Sequence, residues 1–330
     1  MNRRTKLHAP RLSILRHALF TLALVNLVTW SSPASLSAGN VSVSIDRQGN
    51  LDIRGDHDRN GNHLEVTVDL VDDFDVSYVI RGKAGTTVNG LAEERLWFYD
   101  VHGDVNIRMG YGNDTLDINT LWVHNDLLID TGPGDDNLSI HAIVYGQMRI
   151  HTRAGDDYIF MSNSLVGGDN EPSASGSFEH YKALTIDTGT GDYDVTWMVR
   201  NQALGSVELR SSSRRSVIFA DKLFAIGHLD IFGNTGNDFV YLFESYVANY
   251  FEVHLRLQND MLFMQGLLVE GDADVHMGLG NDFVHGYAIA VEGSAFFNGG
   301  LGRNDFLQLK ASHFRDLRPG VNFEGQRIVP

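Results

Sequence analysis

Along most of the chain, single apolar residues recur at a nearly constant interval with polar residues on either side. The column Ile107, Ile129, Ile150, Ile186, Leu209, Ile231, Val253, Val275 and Phe297 is apolar at every member, and most of its steps are 22 residues. One step is 21, one 23 and one 36; the surplus of the longest falls in Ser164 to His180, which reads as an inserted loop. Ile53 and Ile80 extend the column toward the N-terminus at steps of 27, making eleven members. A second apolar column keeps the same spacing: Leu116, Leu138, Ile159, Val195, Ile218, Val240, Leu262 and Val284, then Leu307 after a turn one residue longer.

A third column, four residues before each member of the first, holds Gly103, Asn125, Gly146, Gly205, Gly227, Asn249, Gly271 and Gly293, and fails only at Lys182. Glycine and asparagine tolerate φ > 0, so one turn of each repeat is expected there. Between the turns, segments such as Val105-Asn-Ile107 and Thr115-Leu-Asp-Ile118 alternate with the period of strands. Self-similarity at a fixed period of this length means one supersecondary unit per repeat, stacked so that neighbours bury each other's apolar face. The expected fold is all-β, a parallel β-solenoid (β-helix) of about eleven coils, because an antiparallel sandwich has no reason to hold one register through so many repeats. At about 4.8 Å per coil the stack would be roughly 50 Å long. Residues 39–104 are expected to form an N-terminal cap and the first coils, with Val41 to Ile45 and Leu51 to Ile53 as a hairpin. Residues 105–309 would be regular repeats with the insertion at 164–180, and 310–330 a C-terminal cap that abandons the motif.

Residues 1–38 carry Arg3, Arg4, Lys6, Arg11 and Arg16, no acid, then the largely apolar run Ala18 to Trp30 and small residues near Ser32-Pro33-Ala34 and Ser37-Ala38. That is the pattern of a secretory signal peptide. The run is short for a membrane span, and after cleavage no later segment approaches the roughly 18 apolar residues that a transmembrane segment needs. Cleavage would take the net charge from -16 to about -21 by removing those five basic residues. Such a balance argues against nucleic acid as a partner and suits hard cations outside the cell. Cysteine is absent, so thiol catalysis and Cys-ligated zinc are excluded, and residues 39–330 must hold together by burial alone. The expected location is secreted or cell surface, with the periplasm as an alternative.

One motif rides on the repeat: Met109-Gly-Tyr-Gly-Asn-Asp114 returns as Thr131-Gly-Pro-Gly-Asp-Asp136 and again in later coils. The segment Gly110 to Leu116, GYGNDTL, resembles the glycine-rich nonapeptide of repeats-in-toxin (haemolysin-type) proteins, G-G-x-G-x-D-x-hydrophobic-x, in which calcium sits between stacked turns. The resemblance implies calcium held by aspartate carboxylates and turn carbonyls. It points to Asp114, Asp136, Asp157, Asp238, Asp260 and Asp282, and to the glycine pairs Gly110 and Gly112, Gly132 and Gly134, Gly278 and Gly280. Asn113, Asp135 and Asp156 add oxygens to the first block.

The departures from the family pattern are specific. Its first glycine is Met109, Thr131, Thr152 or Met277 here, and one motif per 22-residue coil is sparser than a β-roll requires. Tyr193 and Ser216 stand where an acid is expected, dividing the ladder into Asp114 to Asp157 and Asp238 to Asp282, with Asp305 one place late. Arg256 and Gln258 replace glycines of the second block. Carboxylates stacked about 5 Å apart repel by about 3 kcal/mol at an effective dielectric near 20, so a partly buried ladder needs a cation and an exposed one does not. Calcium, which takes six to eight oxygens, suits that need. The alternative is turn chemistry alone, with Asn113, Asn237, Asn259 and Asn281 hydrogen-bonding up the stack.

Other candidates are weaker. Asp56-His-Asp-Arg-Asn-Gly-Asn62 opens like an EF-hand loop, but its twelfth position is Thr67, so it reads as the first coil's turn. Arg108, Asp130, His151, Asp187, Arg210, His254 and His276 form an outward column that a polysaccharide lyase could use, but no coil concentrates unlike groups, and the enzyme prior is fold analogy alone. His254 and His276, one coil apart, read as bystanders without a nearby carboxylate rather than as a transition-metal pair. No helix follows Gly110-Tyr-Gly112 to make a phosphate loop. Phe239, Phe283 and Phe306, each directly after a motif aspartate, are expected to stack on one another rather than form a ligand platform. The expectation is a secreted or cell-surface, calcium-binding structural or adhesive solenoid, non-catalytic, meeting extracellular polysaccharide or cell-surface components. The alternative is a carbohydrate-active, lyase-like enzyme with a groove walled by the 164–180 insertion.

Overall fold

A parallel strand satisfies its backbone only through the strands on either side, so a repeat that returns every 22 residues becomes a coil whose strands stack on their own copies. The repeat beginning at Leu229 shows the unit: Leu229–Phe232, Asn237–Phe243 and Tyr246–Val247 are three strands separated by corners. Their side chains alternate between buried and partly exposed, so each strand has one inward and one outward face. The computed structural model describes residues 39–330 except 57–60, 71–75, 93–94, 168–180, 319 and 330. The signal-peptide reading of residues 1–38 lies outside them.

The first face stacks Ile53 beside Ile107, Ile107 beside Ile129, and so on in register to Val275 beside Phe297. All of these are buried to 1% exposure or less. The second face runs from His63–Leu70 to Gly325–Val329, and the third from the end of Thr115–Val123 to His313–Leu317. Inward side chains of the three faces meet in one continuous apolar core. The fold is thus the all-β parallel solenoid that the periodicity predicts.

Three details differ from expectation and one agrees. Ile80 is buried, but its strand Val76–Lys83 runs antiparallel to His63–Leu70 with Ile80 opposite Val66, so it adds no coil and the stack has about ten. The hairpin of Asn40–Ile45 and Leu51–Gly55 forms as expected. The segment 310–330 loses the motif yet prolongs the second and third faces through Gly325–Val329 and His313–Leu317. Of the expected insertion, Leu165–Val166 already belongs to the third face, and residues 168–180 lie outside the described residues.

The glycine column before each first-face strand does mark a corner, but for another reason than φ. None of Gly103, Gly146, Gly227, Gly271 or Gly293 has positive φ. A Cβ on Gly271 would instead lie 2.2 Å from the Asn249 carbonyl oxygen of the coil before. Close approach of stacked corners excludes a side chain there. The left-handed residues of the remaining corner include Asn163, Arg200, Lys222, Glu244 and Ala288, of which Asn163 alone is a type that carries a turn signal.

Gly132 combines both constraints, with φ +91 and a hypothetical Cβ 1.7 Å from the Gly110 carbonyl oxygen, whereas Gly90 has φ +79 and open space around it. Gly132→Ala is expected to destabilise the protein by at least about 2 kcal/mol more than Gly90→Ala, whose cost is the roughly 1–2 kcal/mol of the left-handed backbone. Equal urea midpoints for the two variants would refute the close-approach account.

Candidate functional site

The motif occupies the corner between the first and second faces, where the chain turns and its N–H groups have no strand partner. Two side-chain ladders satisfy them. On the outside, Asn113 Oδ1 accepts the Asp135 N–H at 2.9 Å, Asp135 Oδ1 accepts the Asp156 N–H at 2.9 Å, and Asp156 Oδ1 accepts the Asp192 N–H at 2.7 Å. Asn237 and Asn259 do the same for Asn259 and Asn281, at 3.0 and 2.8 Å. Each acceptor here serves the coil that follows.

One residue further along, a second ladder runs the other way. Asp136 Oδ1 accepts the Asp114 N–H at 2.8 Å, Asp157 Oδ1 that of Asp136 at 2.9 Å, Asp260 Oδ1 that of Asp238 at 2.8 Å, and Asp282 Oδ1 that of Asp260 at 2.9 Å. At one end Asn62 donates to Asp114; at the other Asp305 takes the Asp282 N–H and gives its own to Glu324. These aspartates are buried to about 1% exposure, unlike the outer ladder. Gly110, Gly112, Gly132, Gly134 and Gly278 take the positive φ that the corner requires. Arg256 and Gln258 adopt it without being glycine, at φ 77 and 79.

Two expectations about this ladder are corrected. Tyr193 does not replace the acid: that corner is one residue longer, and Asp194, buried, accepts the Asp157 N–H at 3.1 Å. The same lengthening shifts the second column there from Val195 to Thr196, which lies beside Ile159 and Ile218. Ser216 keeps the ladder connected by donating its hydroxyl to Asp238 Oδ1 at 2.6 Å. The first block therefore runs on to Asp194 and the second to Asp305, with Ser216 between them where the sequence shows no acid. Of the EF-hand-like segment, Asn62 opens the inner ladder and Asp56 Oδ2 accepts the Asn40 N–H at 2.6 Å; residues 57–60 lie outside the described ones.

The second carboxylate oxygen, Oδ2, of Asp114, Asp136, Asp157, Asp238, Asp260, Asp282 and Asp305 is buried without a hydrogen-bond partner. A charged oxygen in that position is expensive. Burial accordingly pushes Asp114 and Asp157 up to about 7, Asp136 to about 8, Asp260 to about 9, and Asp194, Asp238 and Asp282 to about 6. The Thr131 hydroxyl beside Asp136 and the backbone N–H groups pull down against burial, and neighbouring acids of the file push up. A proton meets the need of one oxygen per coil. The side chains alone do not make a calcium site: Oδ1 is taken by an N–H, the side chains five residues before Asp114, Asp260 and Asp282 are the apolar Met109, Leu255 and Met277, and of the six to eight oxygens required each of these aspartates has Oδ2 unused. Among the described residues no three His, Asp or Glu side chains form a metal-sized group.

The outward faces hold what sequence reasoning missed. On the second face Ser139, Phe160, Trp197, Phe219, Tyr241, Phe263, His285 and Gln308 are consecutive neighbours in one outward column. Ring centroids are 6.1 Å apart for Phe160 and Trp197, 5.4 Å for Trp197 and Phe219, 6.5 Å for Phe219 and Tyr241, and 5.1 Å for Tyr241 and Phe263. Phe283 and Phe306 stack beside it at 5.7 Å. The signal was present: strands such as NDFVYLF lack the polar alternate residues of a solvated face. On the first face, His254 and His276 stack at 4.8 Å, but contrary to expectation each has a carboxylate, Glu252 at 2.5 Å and Asp274 at 2.8 Å, two residues earlier on the same outward face. Of the remaining lyase column, His151 and Asp187 line a cleft of about 340 Å³ with Arg153, whose guanidinium is held by Asp130.

Because the folded acids titrate higher than the roughly pH 4 of an unfolded chain, stability is fully present below pH 4 and is lost progressively as pH rises from there through the folded values of about 6 to 9. Urea midpoints are expected to fall over that range. Asp260→Asn, which keeps an acceptor for the Asp238 N–H and cannot ionise, should flatten the upper part of the profile; an unchanged slope would refute the assignment. Adding about 1 mM calcium after chelation is expected to produce none of the roughly 2.7 kcal/mol per site that linkage gives at a hundredfold excess over the dissociation constant. A shift of that size in thermal melts would restore the calcium reading. No protein family, curated protein or solved structure matches the chain, so its assignment rests on the geometry of its faces.

Proposed function

We propose that the chain is an exported, non-catalytic structural and adhesive module whose working surface is the second face of the solenoid. The observation that supports this is the uninterrupted aromatic column from Phe160 through Phe263, on strands whose outward positions would carry polar residues if water were their only neighbour. The apolar patch spans several coils, and patches of that extent on soluble proteins mark contact sites. Export follows from the basic and apolar composition of residues 1–38, and the acidic balance keeps the remaining surface solvated.

The first face offers less to a lyase reading. An arginine paired with a carboxylate, as Arg153 is with Asp130, stays charged and is no base. The His254 and His276 rings lie against each other, with Nε2 directed at Glu252 and Asp274. The inner acids are spent on the backbone and are closed to any substrate.

The test is retention. Cells exporting the wild-type chain are expected to hold it at their surface or matrix, and the triple variant Trp197→Ser, Phe219→Ser, Tyr241→Ser should appear in the medium with an unchanged circular dichroism spectrum and at least tenfold less retained. Equal retention of both would sink the reading.

A further inference from the structure

The aromatic face has a definite size, chemistry and texture, and together they select an occupant. We infer that a second copy of this chain covers it, the two solenoids packing second face to second face about a twofold axis near Phe219. This rests on the reading of that face as the working surface and names its partner.

Three observations carry it. First, the face carries almost no charge in a chain of net charge -16. In the three outward columns over the seven coils from Ser139 to His285, which are centred on Phe219, the charged residue among the described residues is Asp221. The corners that flank the columns carry both signs, Asp156, Asp192, Arg214 and Arg215 along one edge and Arg200, Lys222 and Glu244 along the other, so two acidic copies can meet here without a net like-charge barrier.

Second, the area suffices. Seven coils at about 4.8 Å and strands of about five residues at 3.3 Å each cover roughly 550 Å². A pair then buries about 1,100 Å², just above the roughly 1,000 Å² that a specific interface needs.

Third, the texture favours a sheet over a sugar chain. Tyr241 and Phe263 lie within 4° of parallel, one above the other along the stack, and so do Phe283 and Phe306. Their faces are spent on each other. Phe160, Trp197 and Phe219 meet edge to face at 89° and 72°. A ridged surface of ring edges interdigitates with another sheet about 10 Å away, whereas a polysaccharide platform needs ring faces turned outward. The aromatic run from Phe160 to Phe263 is centred on Phe219, so a twofold axis there lays the run upon itself, the isologous arrangement that closes at two copies.

The chain has no cysteine, which makes the test direct. Analytical ultracentrifugation of the exported chain between about 1 and 100 µM is expected to show a monomer–dimer equilibrium, and Phe219→Lys, which sets like charges against each other across the axis, should weaken it at least a hundredfold. Phe219→Cys should be joined into a dimer by a short thiol-reactive cross-linker, and Thr185→Cys, on the first face, should not. Circular dichroism and thermal melts of each variant separate a lost interface from a lost fold. A wild-type chain that stays monomeric at 100 µM, or cross-linking equal at both positions, overturns the inference. If the chain is monomeric but the aromatic triple variant is still released from cells, the working surface stands and its occupant is another molecule, with binding to a purified cell-surface glycan identifying a sugar. If neither assembly nor retention responds to these substitutions, both readings fall.

Discussion

Everything in this solenoid depends on supplying acceptors to N–H groups at the corner between its first and second faces. A strand's N–H is met by the strand stacked on it, but a tight corner turns the backbone out of that ladder, and a buried N–H left alone costs about 1–3 kcal/mol. With about ten coils the deficit would exceed the net stability of a typical domain. Two consecutive side chains remove it, the outer Asn or Asp serving the coil after and the inner Asp serving the coil before. Because the two sets run in opposite directions, each coil is tied to both neighbours at the same corner.

That solution creates the molecule's main electrostatic tension. An inner aspartate is held by one oxygen while its other oxygen faces a dry interior, and the next aspartate of the file lies one coil away. The tension is relieved where a hydroxyl is at hand, as at Asp194, whose Oδ2 accepts from Thr188 at 2.7 Å. Elsewhere burial favours the neutral acid. A motif that resembles a calcium-binding repeat has a structural role of its own, since the same residue types at the same spacing supply the hydrogen bonds of a stacked corner.

With the corner chemistry turned inward and backward along the stack, the outward faces are left to carry function. The second face is apolar over several coils because its strands are apolar on both sides, and a stack of parallel strands lines those residues up whether or not a partner is present. The first face carries charged and histidine side chains that neutralise one another locally, Glu208 with Lys182 and Arg210 being the most buried example. The contrast between a self-paired polar face and an unpaired aromatic one directs attention to the latter.

The period of apolar residues was enough to determine the fold class, the register of the first face and the place of the motif corner, because a stack of identical coils converts sequence spacing directly into spatial neighbours. It also foretold the asparagine ladder, since those residues recur at the same step. What spacing could not decide was anything that depends on a single coil's departure from the average. Asp194 was hidden by a corner one residue longer, Ile80 fell on the interval although its strand runs the opposite way, and the corner glycines answered to a carbonyl in the adjacent coil rather than to their own φ. The roles of the acids and the aromatics were tertiary as well. Whether an aspartate faces water or a dry core, and whether a phenylalanine stacks inside or outside the coil, is set by which side of the strand it takes and what the next coil places against it, and neither is contained in the residue's own neighbourhood along the chain.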